Sequence, residues 1–147
     1  MSFCDGRCSG CSGCIPRSTP DPGEGRENCT KRILLTGNPN VGKSAFFSRL
    51  TGVHAISSNY PGTTVGFMEG TLAVGGTCYR LVDVPGAYTL EPTNEAEEIA
   101  LKLIEEGAEK AIIVLDATAL ERNLVLALQV LERGLPSIVA LNMVDEA

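Results

Sequence analysis

Residues 37–44 read GNPNVGKS, and no other stretch constrains the fold so strongly. The octapeptide satisfies every fixed position of the phosphate-loop pattern G-x-x-x-x-G-K-[ST]. Gly37 and Gly42 let backbone N–H groups close around phosphate oxygens, with Asn38, Pro39, Asn40 and Val41 between them. Lys43 adds a point charge for the β- and γ-phosphates, and Ser44 offers a hydroxyl to Mg²⁺. The helix that starts here aims its positive end at the same anion. Both flanks agree: Arg32–Thr36 is a short apolar run that reads as a buried strand. Lys43–Thr51 then spaces Ala45, Phe46, Phe47 and Leu50 as a helix, which Gly52 stops.

The remaining elements follow the same alternation. Val53–Gly66 is polar and reads as a loop. Phe67–Val74 and Cys78–Val82 read as strands joined by a turn at Gly75-Gly76. Asn94–Glu106 is an acidic amphipathic helix ended by Gly107, and Ala111–Leu115 is a buried strand. Leu120–Arg133 is a helix with Gly134 just past its end, and Ser137–Leu141 is another buried strand. Strands separated by helical crossovers predict an α/β fold, a mostly parallel sheet between helices. The chain of 147 residues fits one domain. No apolar run reaches the roughly 18–20 residues needed to span a bilayer, and residues 1–30 lack the apolar stretch of a secretory signal. A net charge of −6 argues against a nucleic-acid partner held by bulk charge.

Three further segments speak to a nucleotide. Residues 83–86, DVPG, follow an apolar strand. Asp83 at a strand's carboxyl end suits Mg²⁺ held through water, and Gly86, after Val84 and Pro85, can present its N–H to a γ-phosphate. Residues 59–66, NYPGTTVG, bring Gly62, Thr63, Thr64, Val65 and Gly66. One threonine hydroxyl suits Mg²⁺ and one amide suits the γ-phosphate. Loss of both contacts on hydrolysis makes the loop a switch, against the plainer reading of a polar connection. Residues 142–145, NMVD, directly follow a strand. The Asp145 carboxylate can accept two hydrogen bonds from guanine, and adenine lacks that donor pair. Asn142 would brace the loops. Met143, ahead of Val144, would give the base the apolar contact that a lysine stem gives in many GTPases.

Together these residues resemble the G domain of the bacterial ferrous-iron transporter FeoB. The resemblance rests on GNPNVGKS, NYPGTTV at 59–65, DVPGAYTL at 83–90, LDATALERNL at 115–124 and ALNMVD at 140–145, and covers Lys31 to Ala147. It implies a TRAFAC-class P-loop NTPase fold, with GTP and GDP as ligands and Mg²⁺ as cofactor. It makes Thr64 the switch threonine and Asn40 the residue associated with a K⁺ ion, so that Lys43, Asn40 and Thr64 carry the catalysis. Hydrolysis is expected to be slow, because Ala87 stands where many GTPases place a water-orienting glutamine. The resemblance also implies a place on the cytoplasmic face of the bacterial inner membrane, coupled to a membrane transporter region and to other iron-transport proteins. The last strand, last helix and final base-contact loop of a G domain, the helical spacer and the membrane region are expected beyond the given residues.

Residues 1–30 read differently, as a flexible Cys-rich extension before a nucleotide-binding domain at 31–147. Cys4, Cys8, Cys11 and Cys14 are spaced C-x₃-C-x₂-C-x₂-C. Four such thiolates can wrap Zn²⁺ or an iron–sulfur cluster, or can form no site at all. Their clustering suggests a reduced protein, with Cys29 and Cys78 as separate structural cysteines. A metal- or redox-responsive tail on a vestigial nucleotide fold is therefore a second reading, and a soluble regulatory or ribosome-assembly GTPase a third. His54, the one histidine, reads as an exposed loop residue. Tyr60 reads as a packing residue or a neighbour of base or ribose, the acidic run Glu91–Glu98 as a solvated helix start, and Asp116 as a cap for the turn after its strand.

Overall fold

Apolar alternation in the strands determines where the helices lie. The computed structural model describes residues 29–52 and 55–147. The first strand, β1 (Lys31–Gly37), is followed by helix α1 (Lys43–Thr51), β2 (Ala55–Asn59), β3 (Gly66–Val74) and β4 (Thr77–Asp83). Helix α2 (Glu95–Glu105), β5 (Lys110–Asp116), a 3₁₀ turn at Ala117–Ala119, α3 (Leu120–Glu132) and β6 (Ser137–Asn142) complete the order. The six strands form one sheet, β2-β3-β4-β1-β5-β6. β1 pairs in parallel with β4 and β5, and β5 with β6, while β2-β3 and β3-β4 are antiparallel.

Period-2 alternation sends Leu34, Val82, Ala111, Ile113 and Leu115 to one face, where Ile99, Leu103, Leu126 and Val130 of α2 and α3 cover them. Ile33, Leu35, Leu81 and Val114 point to the other face and pack on Phe47 of α1. β3 passes so close to α1 that a Cβ on Gly70 would lie 2.6 Å from the Thr51 methyl group. Asn94 caps α2 by accepting from the Glu97 N–H at 2.9 Å, and Asp116 caps the 3₁₀ turn by accepting from Thr118 N at 2.8 Å. The Gly75-Gly76 turn joins β3 to β4 with both glycines at positive φ, as their missing side chains allow.

Two expectations are corrected. The loop expected over 53–66 contains β2, whose ladder runs from Ala55↔Gly70 to Asn59↔Gly66. AISSN has no apolar face, and its residues are mostly exposed. Main-chain pairing with β3 makes it a strand. The cysteines are also not all thiols: Cys29 and Cys78 form a disulfide, with Cα atoms 5.0 Å apart. The parallel register Lys31↔Tyr79 carries the residues just before β1 alongside the start of β4. Cys4, Cys8, Cys11, Cys14 and His54 lie outside the described residues.

The bridge spans 49 residues of sequence, and closing a loop of that size removes entropy from the unfolded chain. Reduction should therefore lower unfolding stability by about 2–4 kcal/mol. Thermal melts with and without dithiothreitol check this, and a double Cys29→Ser, Cys78→Ser variant should melt with the reduced wild type and ignore the reductant.

Candidate nucleotide-binding site

Three of the segments singled out in the sequence, 37–44, 83–86 and 142–145, meet at the carboxyl ends of β1, β4 and β6. Gly37 lies beside Val114 of β5, and a Cβ there would overlap the Val114 carbonyl. Gly42 ends the loop in a left-handed conformation, φ 88°, and caps α1. A Cβ on Gly42 would collide with the Asn142 amide. That amide instead donates from Nδ2 to the Val41 carbonyl at 2.9 Å, across 101 residues of sequence. Met143 follows with φ 57°, and the Glu146 N–H donates to its carbonyl at 3.1 Å. The resulting turn presents an exposed Asp145 just beyond the strand.

Asp83 ends β4 next to the phosphate loop. Its Oδ1 lies 3.3 Å from Lys43 Nζ, both side chains being only 12% exposed. Burial pushes the Asp83 carboxyl above its ordinary value, and the Lys43 charge opposes that shift. Apart from Lys43, no group satisfies that oxygen. A carboxylate oxygen on Lys43 occupies the role that a phosphate oxygen can take. The Val84 N–H then donates to the Leu35 carbonyl at 2.9 Å. This carries the chain to Gly86, where a Cβ would meet Pro39 at 3.2 Å. Ser44 and Asp83 both carry hard oxygen donors, the kind that Mg²⁺ takes.

The segment Asn59–Gly66 closes β2 onto β3. The Tyr60 N–H donates to Val65 O at 3.1 Å, and the Thr63 N–H and hydroxyl donate to Tyr60 O at 3.1 and 2.9 Å. Gly62 takes φ 82° in this turn. The Thr64 hydroxyl faces Glu95 Oε2 on α2 at 3.5 Å. The Tyr60 ring packs against the core that α2 and α3 cover, as the packing reading expects. Its hydroxyl donates to Glu106 Oε1 at 2.8 Å, and Arg32 Nη1 donates to the other Glu106 oxygen at 3.0 Å. The Glu106 carboxyl is held below its usual value, first by Arg32 and then by Tyr60, whose own pKa the Glu106 bond raises.

Glu97 departs from the solvated helix start expected for the acidic run. It is 4% exposed, and accepts from Tyr88 N at 3.4 Å, Thr93 N at 3.1 Å and Thr93 Oγ1 at 2.6 Å. It thereby ties down the segment after Gly86. The signal for it was present: Asn94-x-x-Glu97 is the spacing of a helix-capping pair. Its inward turn depends on the fold of residues 86–93.

A phosphate loop, a strand-end aspartate with a following glycine, and an Asn-x-x-Asp turn bonded back to that loop, set on a six-stranded sheet between helices, define a domain of the P-loop NTPase α/β fold. The comparisons with known proteins agree. Residues 31–147 match the family described as ferrous iron transport protein B, and the chain belongs to that family. The chain is 48% identical over 120 residues to the Fe(2+) transporter FeoB of Salmonella typhimurium, covering 78% of this chain and 16% of that transporter. The G domain of the T. maritima FeoB iron transporter superposes with a TM-score of 0.75 at 37% identity, over 80% of this chain and 74% of that one. A GDP-bound variant of S. thermophilus NFeoB gives 0.73 at 38% identity, over 79% and 45%. The chain thus spans about a sixth of the length of the transporter it matches.

The hydrogen bonds from Thr93 hold the Glu97 carboxyl below its ordinary value. The charged form is therefore stabilised on folding above the unfolded pKa, and that contribution is lost as pH falls through the folded one. Glu97→Gln should cost about 2 kcal/mol at neutral pH, and the gap from wild type should close as pH drops below the carboxylate range. Denaturant titrations of both proteins from pH 7 to 3 measure it.

Proposed function

We propose that residues 31–147 bind GTP with Mg²⁺ and hydrolyse it slowly, as the switch domain of a ferrous-iron transport protein. The Asn142–Val41 hydrogen bond carries this reading, because it joins the guanine element to the phosphate element as one site. Lys43 would exchange Asp83 for phosphate oxygens and stabilise the charge that develops as water attacks the γ-phosphate in line. Gly86 would donate its N–H to the γ-phosphate. Ser44, Thr64 and, through water, Asp83 would hold Mg²⁺, which supplies charge neutralisation at the phosphates. Thr64 would have to leave Glu95 to do so, which makes residues 60–65 the mobile part of the switch. The Asn40 side chain, exposed at a left-handed turn in the loop, offers an amide oxygen suited to K⁺.

Asp145 would select guanine through its two acceptor oxygens, with Met143 beside the base. The nucleotide cycle would be coupled, at the cytoplasmic face of the inner membrane, to Fe²⁺ passage through a membrane region of the full-length protein. Among the described residues no helix is long and apolar enough to cross a membrane. The cysteine cluster at 4–14 carries no part of this reading.

Titration of the chain with fluorescent GDP and fluorescent ADP, in Mg²⁺, tests the site. GDP should bind and ADP should not compete; equal affinity for both would refute guanine selection. Asp145→Asn should weaken GDP by about tenfold to a hundredfold and shift preference towards xanthine nucleotides.

A further inference from the structure

The segment after Gly86 is anchored on α3 as well as on α2. Arg122 and Gln129 are seven residues apart and so share one face of the helix. The Arg122 guanidinium lies 5.6 Å from the centre of the Tyr88 ring, within range of a cation–π contact. Gln129 Oε1 accepts from the Leu90 N–H at 2.7 Å. Between them Leu126, fully buried, shares a core with Val84, Ala87 and Leu90.

The first turn of α3 also touches the phosphate loop. Asn38, 1% exposed, directs its Nδ2 at the Arg122 carbonyl, 3.4 Å away. Asn123, fully buried, holds that turn in place by donating to Ala119 O at 2.7 Å and facing Asp116 N at 3.4 Å. Adjacent phosphate-loop residues therefore face different partners: Asn38 meets α3, and Pro39 meets Gly86. Those partners are joined through Tyr88 and Leu90.

We propose that Arg122 and Gln129 are positioning residues that hold residues 88–90 on α3 and so keep Gly86 against the phosphate loop. The inference rests on the nucleotide reading above and adds to it the part played by α3. Neither side chain needs to meet the nucleotide; each acts through the position of Gly86. Loss of Gln129 would strand the Leu90 N–H, which is nearly inaccessible to water. Loss of the Arg122 side chain would free the Tyr88 ring, whose N–H Glu97 still accepts, but leave the main-chain acceptor for Asn38. GDP has no γ-phosphate for Gly86 to meet, so its affinity should be insensitive to both changes, whereas turnover should not be.

The chain contains no tryptophan. Tyr88→Trp therefore installs a lone fluorophore that keeps the cation contact. Arg122→Ala should lower kcat about threefold, and Arg122→Ala with Gln129→Ala about tenfold. GDP affinity should stay within about twofold of wild type, and Arg122→Lys should recover most of the rate. In the Tyr88→Trp background, a non-hydrolysable GTP analogue should shift the emission, and Arg122→Ala should abolish that shift. Circular dichroism melts establish that each variant is folded. Unchanged kcat in the folded double variant would overturn the proposal, as would GDP affinity falling in step with kcat, which marks general loosening. A wild type that binds and hydrolyses normally separates those failures from failure of the site itself, since a wild type binding no GDP would sink both readings.

Discussion

The parallel pairing of β1 with both β4 and β5 is the constraint on which the rest depends. It brings the carboxyl end of β1 between two strands that run in its own direction, β4 ending level with Leu35 and β5 running on past Gly37. The phosphate loop leaves from there, Asp83 ends β4 beside it, and Val114 of β5 closes over Gly37. The same register sets Cys29 beside the start of β4 at the opposite end of the strand. Slipping the β1 register by one residue would turn Leu34 to the α1 side and Ile33 and Leu35 to the α2–α3 side, exchanging the two cores.

On that frame the electrostatics are concentrated in one place. Lys43 and Asp83 form a largely buried pair at the end of the sheet. Desolvation opposes their charges as their attraction favours them. On the proposed function, a phosphate that displaced the carboxylate from Lys43 would leave Asp83 an acceptor without a partner, a suitable neighbour for a hydrated cation. The exposed ion pairs, such as Lys102–Glu98 along α2 and Lys31–Glu109, sit in water and contribute little to stability by comparison.

Much of this architecture is legible in the amino-acid sequence alone. Strands with one apolar face per parity, helices bounded by glycine, and a full phosphate-loop pattern each carry a local physical signature. Lys43–Thr51 is helical over the expected span, and the Gly75-Gly76 hairpin is present. β2 was not legible, because AISSN has no hydrophobic pattern and takes its strand form from the edge of β3. The burial of Glu97 was hidden for a related reason. Its capping position is local, but the amides it accepts from belong to a loop whose path the α2 and α3 contacts determine. The engagement of Tyr60 by Glu106 joins residues 46 apart, and no spacing rule reports it.

The sequence by itself therefore determined the residue types of the candidate site and the order of every element except β2. Residue types at fixed spacing set what backbone amides, a lysine, a hydroxyl and carboxylates can do, and hydrophobic period sets strand or helix. Only the tertiary structure decided which distant groups meet. Asn142 on Val41, Cys29 on Cys78, Gly86 on Pro39 and Arg122 over Tyr88 are all consequences of strand order and register. Those are chosen by the whole sheet burying its two faces at once, and no local segment carries enough energy to choose them alone.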